Sequence, residues 1–174
     1  MNLKLETGTE NNFLRTKSVN IDKIDKKILK LIKSMKTLML KEKGIGLAAP
    51  QVGKNINLFV FLFDTKNSST LPKQNEEGDS EEDESVENIY KGSDKKIIAC
   101  INPRVTHYSK EKNQFGEGCL SLPKDCKKVS RPQEIAVEFL DEKNKQKSLH
   151  LKGINARVFQ HEFDHLNGVL FTDY

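Results

Sequence analysis

Between residues 21 and 43, apolar side chains return every three or four positions, at Ile21, Ile24, Ile28, Leu31, Ile32, Met35, Leu38 and Met39, with lysines between them. That spacing predicts an amphipathic helix with one buried face, stopped by Gly44. The short β-branched and aromatic runs INLFVFLF (56–63) and KIIACINP (96–103) predict two largely buried strands, the second stopped by Pro103. From residue 128 the pattern changes to alternation. Ile135, Val137 and Phe139 share one face, residues 141–146 are polar, and Leu149 and Leu151 resume the alternation, which is a hairpin pattern. Helical spacing then returns in INARVFQHEFDHLNG, where Val158, Phe159, Phe163 and Leu166 are apolar and Gly168 is a C-terminal stop. The expected fold is α+β: mixed, mostly antiparallel strands packed around a C-terminal helix, with an amphipathic helix near the N-terminus.

Residues 64–94 break this pattern. They carry ten acidic residues against three lysines and almost no apolar side chains, too few to offset the entropy of ordering. An acidic, disordered insertion over 64–94 is expected within one domain spanning residues 1–174, as a tolerated loop expansion. With a formal net charge of +4, the chain outside this stretch is basic, and the scattered lysines read as a solvated surface and not as a nucleic-acid site. No apolar run approaches the roughly 20 residues of a membrane span. The polar start MNLKLETGTENNF lacks a secretory h-region. Cys100, Cys119 and Cys126 cannot all pair within one chain, so reduced thiols serving as ligands or core residues are expected.

The candidate chemistry lies in QHEFDHLNG (160–168). Residues four apart on a helix share a face, so His161 and His165 can present imidazoles to one ion. Glu162, one position round, can reach a water beside that ion and move its proton. A third ligand is not found downstream. Gly168 extends a metallopeptidase-like pattern, but Phe171 stands where that pattern has histidine, and Asp173 and the terminal carboxylate have no such spacing. Upstream, QFGEGCLSLP (114–123) places Cys119 between Gly116, Gly118 and Pro123, with glycines that allow unusual backbone angles and close passage to an ion. A second glycine segment, GIGLAAPQVG (44–53), suits a tight approach of backbone to ligand and offers the Gln51 amide as an oxyanion donor. Two other readings remain open on the residues alone: a metallopeptidase, and a closed structural site of Cys119, Cys126, His161 and His165.

In chain order, GIGLAAPQ, EGCLS and HEFDH resemble the three signature motifs of the peptide deformylases, and NFLRTKSVNI, INPRV, IAVEFLDEKN and FTDY are similar as well. The resemblance covers the chain apart from the acidic stretch. It implies hydrolysis of the formyl group from the N-terminal methionine of newly made proteins, releasing formate. Cys119, His161 and His165 would bind one divalent ion, Fe2+ natively, with Zn2+, Ni2+ or Co2+ able to replace it. Glu162 would carry the proton, and Gln51 with the backbone N–H of Leu120 would hold the oxyanion.

Substrate contacts implied by the resemblance are Gly44, Ile45, Gly46, Glu117, Gly118 and Val158. Ile45 and Gly46 would pair with the peptide as an added strand, and apolar groups near Ile45, Leu120 and Val158 would take the methionine. Asp164 would pair with Arg131 and steady the histidine helix. Cys126 stands where many members of the family have an arginine. The partners implied are formyl-Met N-termini and transient proximity to the ribosome, with no membrane and no specific nucleic acid. Lysine outnumbers arginine 25 to 4, a bias of AT-rich genomes. It suggests a plastid-like organelle reached by a transit peptide since removed, with the bacterial cytoplasm as the alternative.

Overall fold

The computed structural model describes residues 2–70 and 95–174. The named strands form a six-stranded antiparallel sheet, in the order β1–β2–β4–β7–β8–β3, and a separate two-stranded sheet, β5–β6. In chain order the strands are β1 (Gly46–Ala48), β2 (Leu58–Asp64), β3 (Ser68–Thr70), β4 (Lys95–Tyr108), β5 (Lys112–Cys119), β6 (Leu122–Pro132), β7 (Glu134–Leu140) and β8 (Gln146–Lys152). The helices are a single turn, α1 (Asn12–Arg15), then α2 (Lys26–Lys41) and α3 (Gly153–Leu166). No helix among the described residues is long and apolar enough to cross a membrane.

Strand β2 explains why its sequence is apolar without alternation. Phe59, Phe61 and Phe63 point into one core shared with Ala156, Phe159 and Leu166 of α3. Leu58 and Val60 point into a second core with Leu31, Ile32, Met35 and Met39 of α2. A strand buried on both faces has no polar face to show. The aromatic contact between β2 and α3 is edge-to-face, with the Phe59 and Phe159 rings 4.9 Å apart. The predicted β7–β8 hairpin forms, its turn tied by Asp141 accepting from Lys143 N and Lys145 N.

Several boundaries differ from the sequence reading. Helix α2 begins at Lys26 because Asp25 Oδ1 accepts from Lys27 N and Ile28 N and caps it there. Its end is set by Lys43, not Gly44: Lys43 takes the left-handed conformation (φ 56°), with Lys43 N bonded to Leu40 O and Gly44 N to Met39 O. Strand β4 runs past Pro103 to Tyr108. The proline is accommodated where the pairing with β7 slips between Ile101 and Arg104, beside Asn102 at φ 49°. The stretch 64–94, expected to be a disordered insertion, begins with described residues. Asp64 finishes β2 in register with Lys95, residues 65–67 form a 3-10 turn, and the backbone of Ser68–Thr70 pairs with β8. Residues 71–94 lie outside the described residues.

Helix α3 ends at a Schellman turn. Gly168 sits at φ 73°, Gly168 N bonds to His165 O and Val169 N to Asp164 O. A Cβ on Gly168 would stand 2.5 Å from the Arg15 carbonyl oxygen, so the turn is closed against the N-terminal segment as well as left-handed. Gly168→Ala is expected to cost at least about 2 kcal/mol from backbone strain and this collision. Urea unfolding with an unchanged m-value measures it, and wild-type stability would contradict the packing described.

Candidate metal centre

Each of the three sequence motifs ends at one cleft. Its volume is about 880 Å³, and Gly44–Gly46 forms part of one wall. Helix α3 presents His161 and His165, and the tip of the β5–β6 hairpin presents Cys119 opposite them. The ligand atoms of these three residues lie within 4.8 Å of one another, with Cys119 Sγ 3.3 Å from His165 Nε2. A thiolate and two imidazoles suit a divalent ion of the iron-to-zinc series, so the residues present fit the ion that the sequence implies. Cys126 is exposed on β6 and stands outside this group, which removes the closed four-ligand reading. Cys100 lies in the core beneath α3, where burial raises its thiol pKa.

The segment holding Cys119 does not use the unusual backbone angles expected of its glycines. It is regular β-structure that turns at Leu120 and Ser121, with Cys119 the last residue of β5, paired with Leu122. Gly116 and Gly118 are not left-handed, and a Cβ on either would meet only ordinary contacts, at 3.6 and 3.7 Å. The close approach occurs across the cleft instead. A Cβ on Gly46 would stand 2.7 Å from Glu162 Cδ and 2.9 Å from its Cγ, so β1 can lie against α3 here only because residue 46 has no side chain.

Glu162 is buried, and its Oε2 has no hydrogen-bond partner among the described residues. Burial pushes its carboxyl up to about 7, where it can both take and return a proton near neutrality. Burial holds His165 well below the usual imidazole range, which keeps it neutral. Burial opposes charge on His161 too, but hydrogen bonds to Cys119 and Glu117 and the nearby Glu162 carry it up to about 10. An imidazolium has no free lone pair, so an ion entering the site takes the place of that proton. Gln51 is buried in the 3-10 turn after β1. Its Oε1 accepts from Ala48 N, and its Nε2 donates to Ser121 Oγ at 3.2 Å and Cys119 Sγ at 3.3 Å.

Glu117, which the resemblance implies as a substrate contact, lines the cleft with its carboxylate buried and engaged on both oxygens. Oε1 accepts from Arg131 Nε (2.7 Å) and Arg157 Nη1 (2.8 Å). Oε2 accepts from Arg131 Nη2 (2.9 Å) and lies 2.9 Å from His161 Nδ1. Burial alone would raise this carboxyl, but the hydrogen bonds from Arg131 and His161 hold it far below the usual range. Arg131 also pairs with Asp164 Oδ2 at 2.6 Å, and Tyr174 lies over its guanidinium and donates to Asp164. Arg157 and Tyr174 went unread in the sequence: Arg157 falls in the helical pattern with no motif around it, and only FTDY flags Tyr174. Leu120, Ile45, Gly118 and Val158 line the cleft, and β1 pairs with β2 alone among the described strands, Gly46 opposite Phe61.

A His-Glu-x-x-His helix facing a hairpin cysteine across a peptide-sized cleft defines a metal-dependent hydrolase. The chain belongs to the polypeptide deformylase family, whose model matches residues 6–174. It is 40% identical over 163 residues to a peptide deformylase of Prochlorococcus marinus, covering 94% of this chain and 68% of that one. It is also 40% identical over 160 residues to the chloroplastic peptide deformylase 1B of Solanum lycopersicum, covering 92% of this chain and 48% of that longer protein. Among solved structures, a probable peptide deformylase from Synechococcus phage S-SSM7 superposes with a TM-score of 0.79 at 36% identity, covering 99% of both chains. The Synechococcus elongatus peptide deformylase in complex with actinonin superposes at 0.77 with 32% identity, covering 98% of this chain and 77% of that one.

Two substitutions test the site's construction. Gly46→Ala should leave the chain folded but displace the Glu162 carboxylate, costing about 100-fold in turnover, the scale of an ångström's misplacement. Steady-state kinetics beside a circular dichroism spectrum checks it, and wild-type turnover would remove the close approach from the mechanism. Arg131→Ala strips Glu117 and Asp164 of their shared cation, with an expected cost of about 3–5 kcal/mol and roughly 10–100-fold weaker metal retention. Urea unfolding and metal content after dialysis against a chelator measure both. Full metal retention would reduce Arg131 to a purely structural role.

Proposed function

We propose that this cleft binds the formylated methionine at the start of a nascent polypeptide and hydrolyses its formyl amide through the residues assembled on α3, β1 and the β5–β6 tip. As a member of its family the chain is a hydrolase that removes the N-formyl group from newly made proteins. The observation that carries the residue assignment is the convergence of Cys119, His161 and His165 beside the buried, unbonded Glu162 oxygen.

Cys119 Sγ and one nitrogen each of His161 and His165 would hold a single divalent ion. When bound, such an ion supplies Lewis acidity, polarising a carbonyl and lowering the pKa of water to roughly 7. The assignment of Fe2+ as the native ion, with Zn2+, Ni2+ or Co2+ as substitutes, belongs to this proposal and rests on a ligand set that suits all of them.

The peptide would extend β1 at its open edge, with Ile45 and Gly46 offering main-chain groups. That mode reads backbone and not sequence, as an enzyme acting on many different N-termini requires. The apolar wall near Ile45, Leu120 and Val158 would receive the methionine side chain, and Gly44 and Gly118, having no side chains, leave room for the peptide beside it. Glu162 takes a proton from the attacking water as its oxygen bonds to the formyl carbon. The oxyanion takes over the Gln51 Nε2–H that now faces Cys119 and accepts a second bond from Leu120 N–H. Collapse breaks the C–N bond, and Glu162 returns the proton to the departing amine. The products are formate and a free N-terminal methionine.

Residues 1–174 would work as one catalytic domain. Work close to the ribosome and residence in a plastid-like organelle extend the same proposal. The second is supported by the equal 40% identity to a chloroplastic and a cyanobacterial relative, and the bacterial cytoplasm is the alternative compartment.

Anaerobically prepared, metal-loaded protein should release formate from a formyl-Met peptide. Glu162→Ala should retain metal and lose at least about 100-fold in turnover. Unchanged turnover in that variant would reject the proton path, and comparable cleavage of internal bonds in unformylated peptides would reject the substrate class.

A further inference from the structure

The two halves of the metal centre come from different layers: the cysteine from the β5–β6 hairpin, the histidines from α3. Polar contacts join them, among them Arg131 with Asp164 and Gln160 Nε2 with Pro132 O, and the densest set is made by one arginine. Arg157 stands four residues before His161, on the same face of α3. It is 7% exposed, and its guanidinium reaches four acceptors, all on the hairpin. Nη1 donates to Glu117 Oε1 at 2.8 Å and to Val129 O at 3.0 Å, while Nη2 donates to Asn113 O at 2.9 Å and to Asn113 Oδ1. The exposed Phe115 ring covers its outer face, 5.4 Å from the guanidinium carbon.

Arg131 holds the same carboxylate, but it rises from β6 and therefore anchors Glu117 within the hairpin. Arg157 holds it from the helix. His161 Nδ1 meets the other carboxylate oxygen from the same helix, so Arg157 and His161 clasp one buried anion two residues before Cys119. A rigid, charged fork is suited to this task, because its donors have fixed spacing and stay charged when buried.

We propose that Arg157 is a positioning residue that sets the distance and orientation between Cys119 and the His161–His165 pair by fastening α3 to the hairpin through Glu117, Asn113 and Val129. In this role it acts through the hairpin and not on the ion, and its side chain also lines the cleft. The inference rests on the ligand set proposed above, and it predicts a change in metal-centre geometry that general loosening of the fold would not produce.

The test uses Co2+ alone as the probe, bound to the full chain, because its visible bands report four-coordinate geometry and its near-ultraviolet band reports thiolate ligation. Arg157→Met should remain cooperatively folded, bind Co2+ about 10–100-fold more weakly in competition with a chelator, and lose intensity in the thiolate band. Arg157→Lys, with a cation but no fork, should fall between, and serves should the methionine variant not fold. Leu31→Ala, which weakens the α2 layer away from the cleft, should keep the wild-type Co2+ spectrum. Wild-type affinity and spectrum in both Arg157 variants would overturn the role. Equal losses in the Leu31 variant would overturn it as well, by making the effect one of stability. A wild-type chain with no thiolate band would instead sink the ligand set itself, and the placement of Arg157 with it.

Discussion

The Glu117 carboxylate is the point on which the site depends. It is buried, and an unpaired charge there would be severely unfavourable, so the surrounding chain must supply cations and donors. They come from two layers: Arg131 from β6, Arg157 and His161 from α3. Arg157 and His161 therefore fix the hairpin against the helix as well as neutralising the anion, and Arg131 reaches the helix through Asp164. The same contact orients the His161 ring, because an Nδ1 directed at a carboxylate leaves Nε2 facing Cys119. Folding and ligand geometry are joined in one network.

Strand β2 provides the rigid reference for that network. Its phenylalanines pack under α3, and its aliphatic residues pack over α2, so the helix carrying the histidines rests on a strand that cannot shift without disturbing both cores. Strand β1 is fixed to β2 and meets α3 at Gly46, where the missing side chain admits Glu162. Burial that would be a cost elsewhere becomes useful at Glu162: the apolar surroundings raise its pKa into the range in which a carboxyl can carry a proton at neutral pH.

Much of this was legible in the sequence where the signal is local. Helical spacing located α2 and α3, alternation located β7–β8, and the four-residue interval between His161 and His165 announced a shared face. Cys119 followed from the lack of a ligand after His165. Signals that depend on pairing failed. Gly116 and Gly118 were expected to take unusual backbone angles, but they lie in β5, held to β6 by a ladder of backbone hydrogen bonds that leaves no apolar trace. Pro103 was read as a strand end because a proline removes a ladder donor, but the slipped register around Asn102 accommodates it. The partners of Glu117 left no local signal, because they lie 14, 40 and 44 positions away.

The sequence by itself determined the candidate groups: a thiol, two imidazoles one helical turn apart and a carboxylic acid beside the first. These follow from composition and short-range spacing, which a helix or strand converts directly into geometry. Only the tertiary structure decided which partners hold those groups in place. The carboxylate between two arginines, the approach of Gly46 to Glu162 and the span from hairpin to helix depend on contacts between segments far apart in the chain, and their register is set by the packing of the layers.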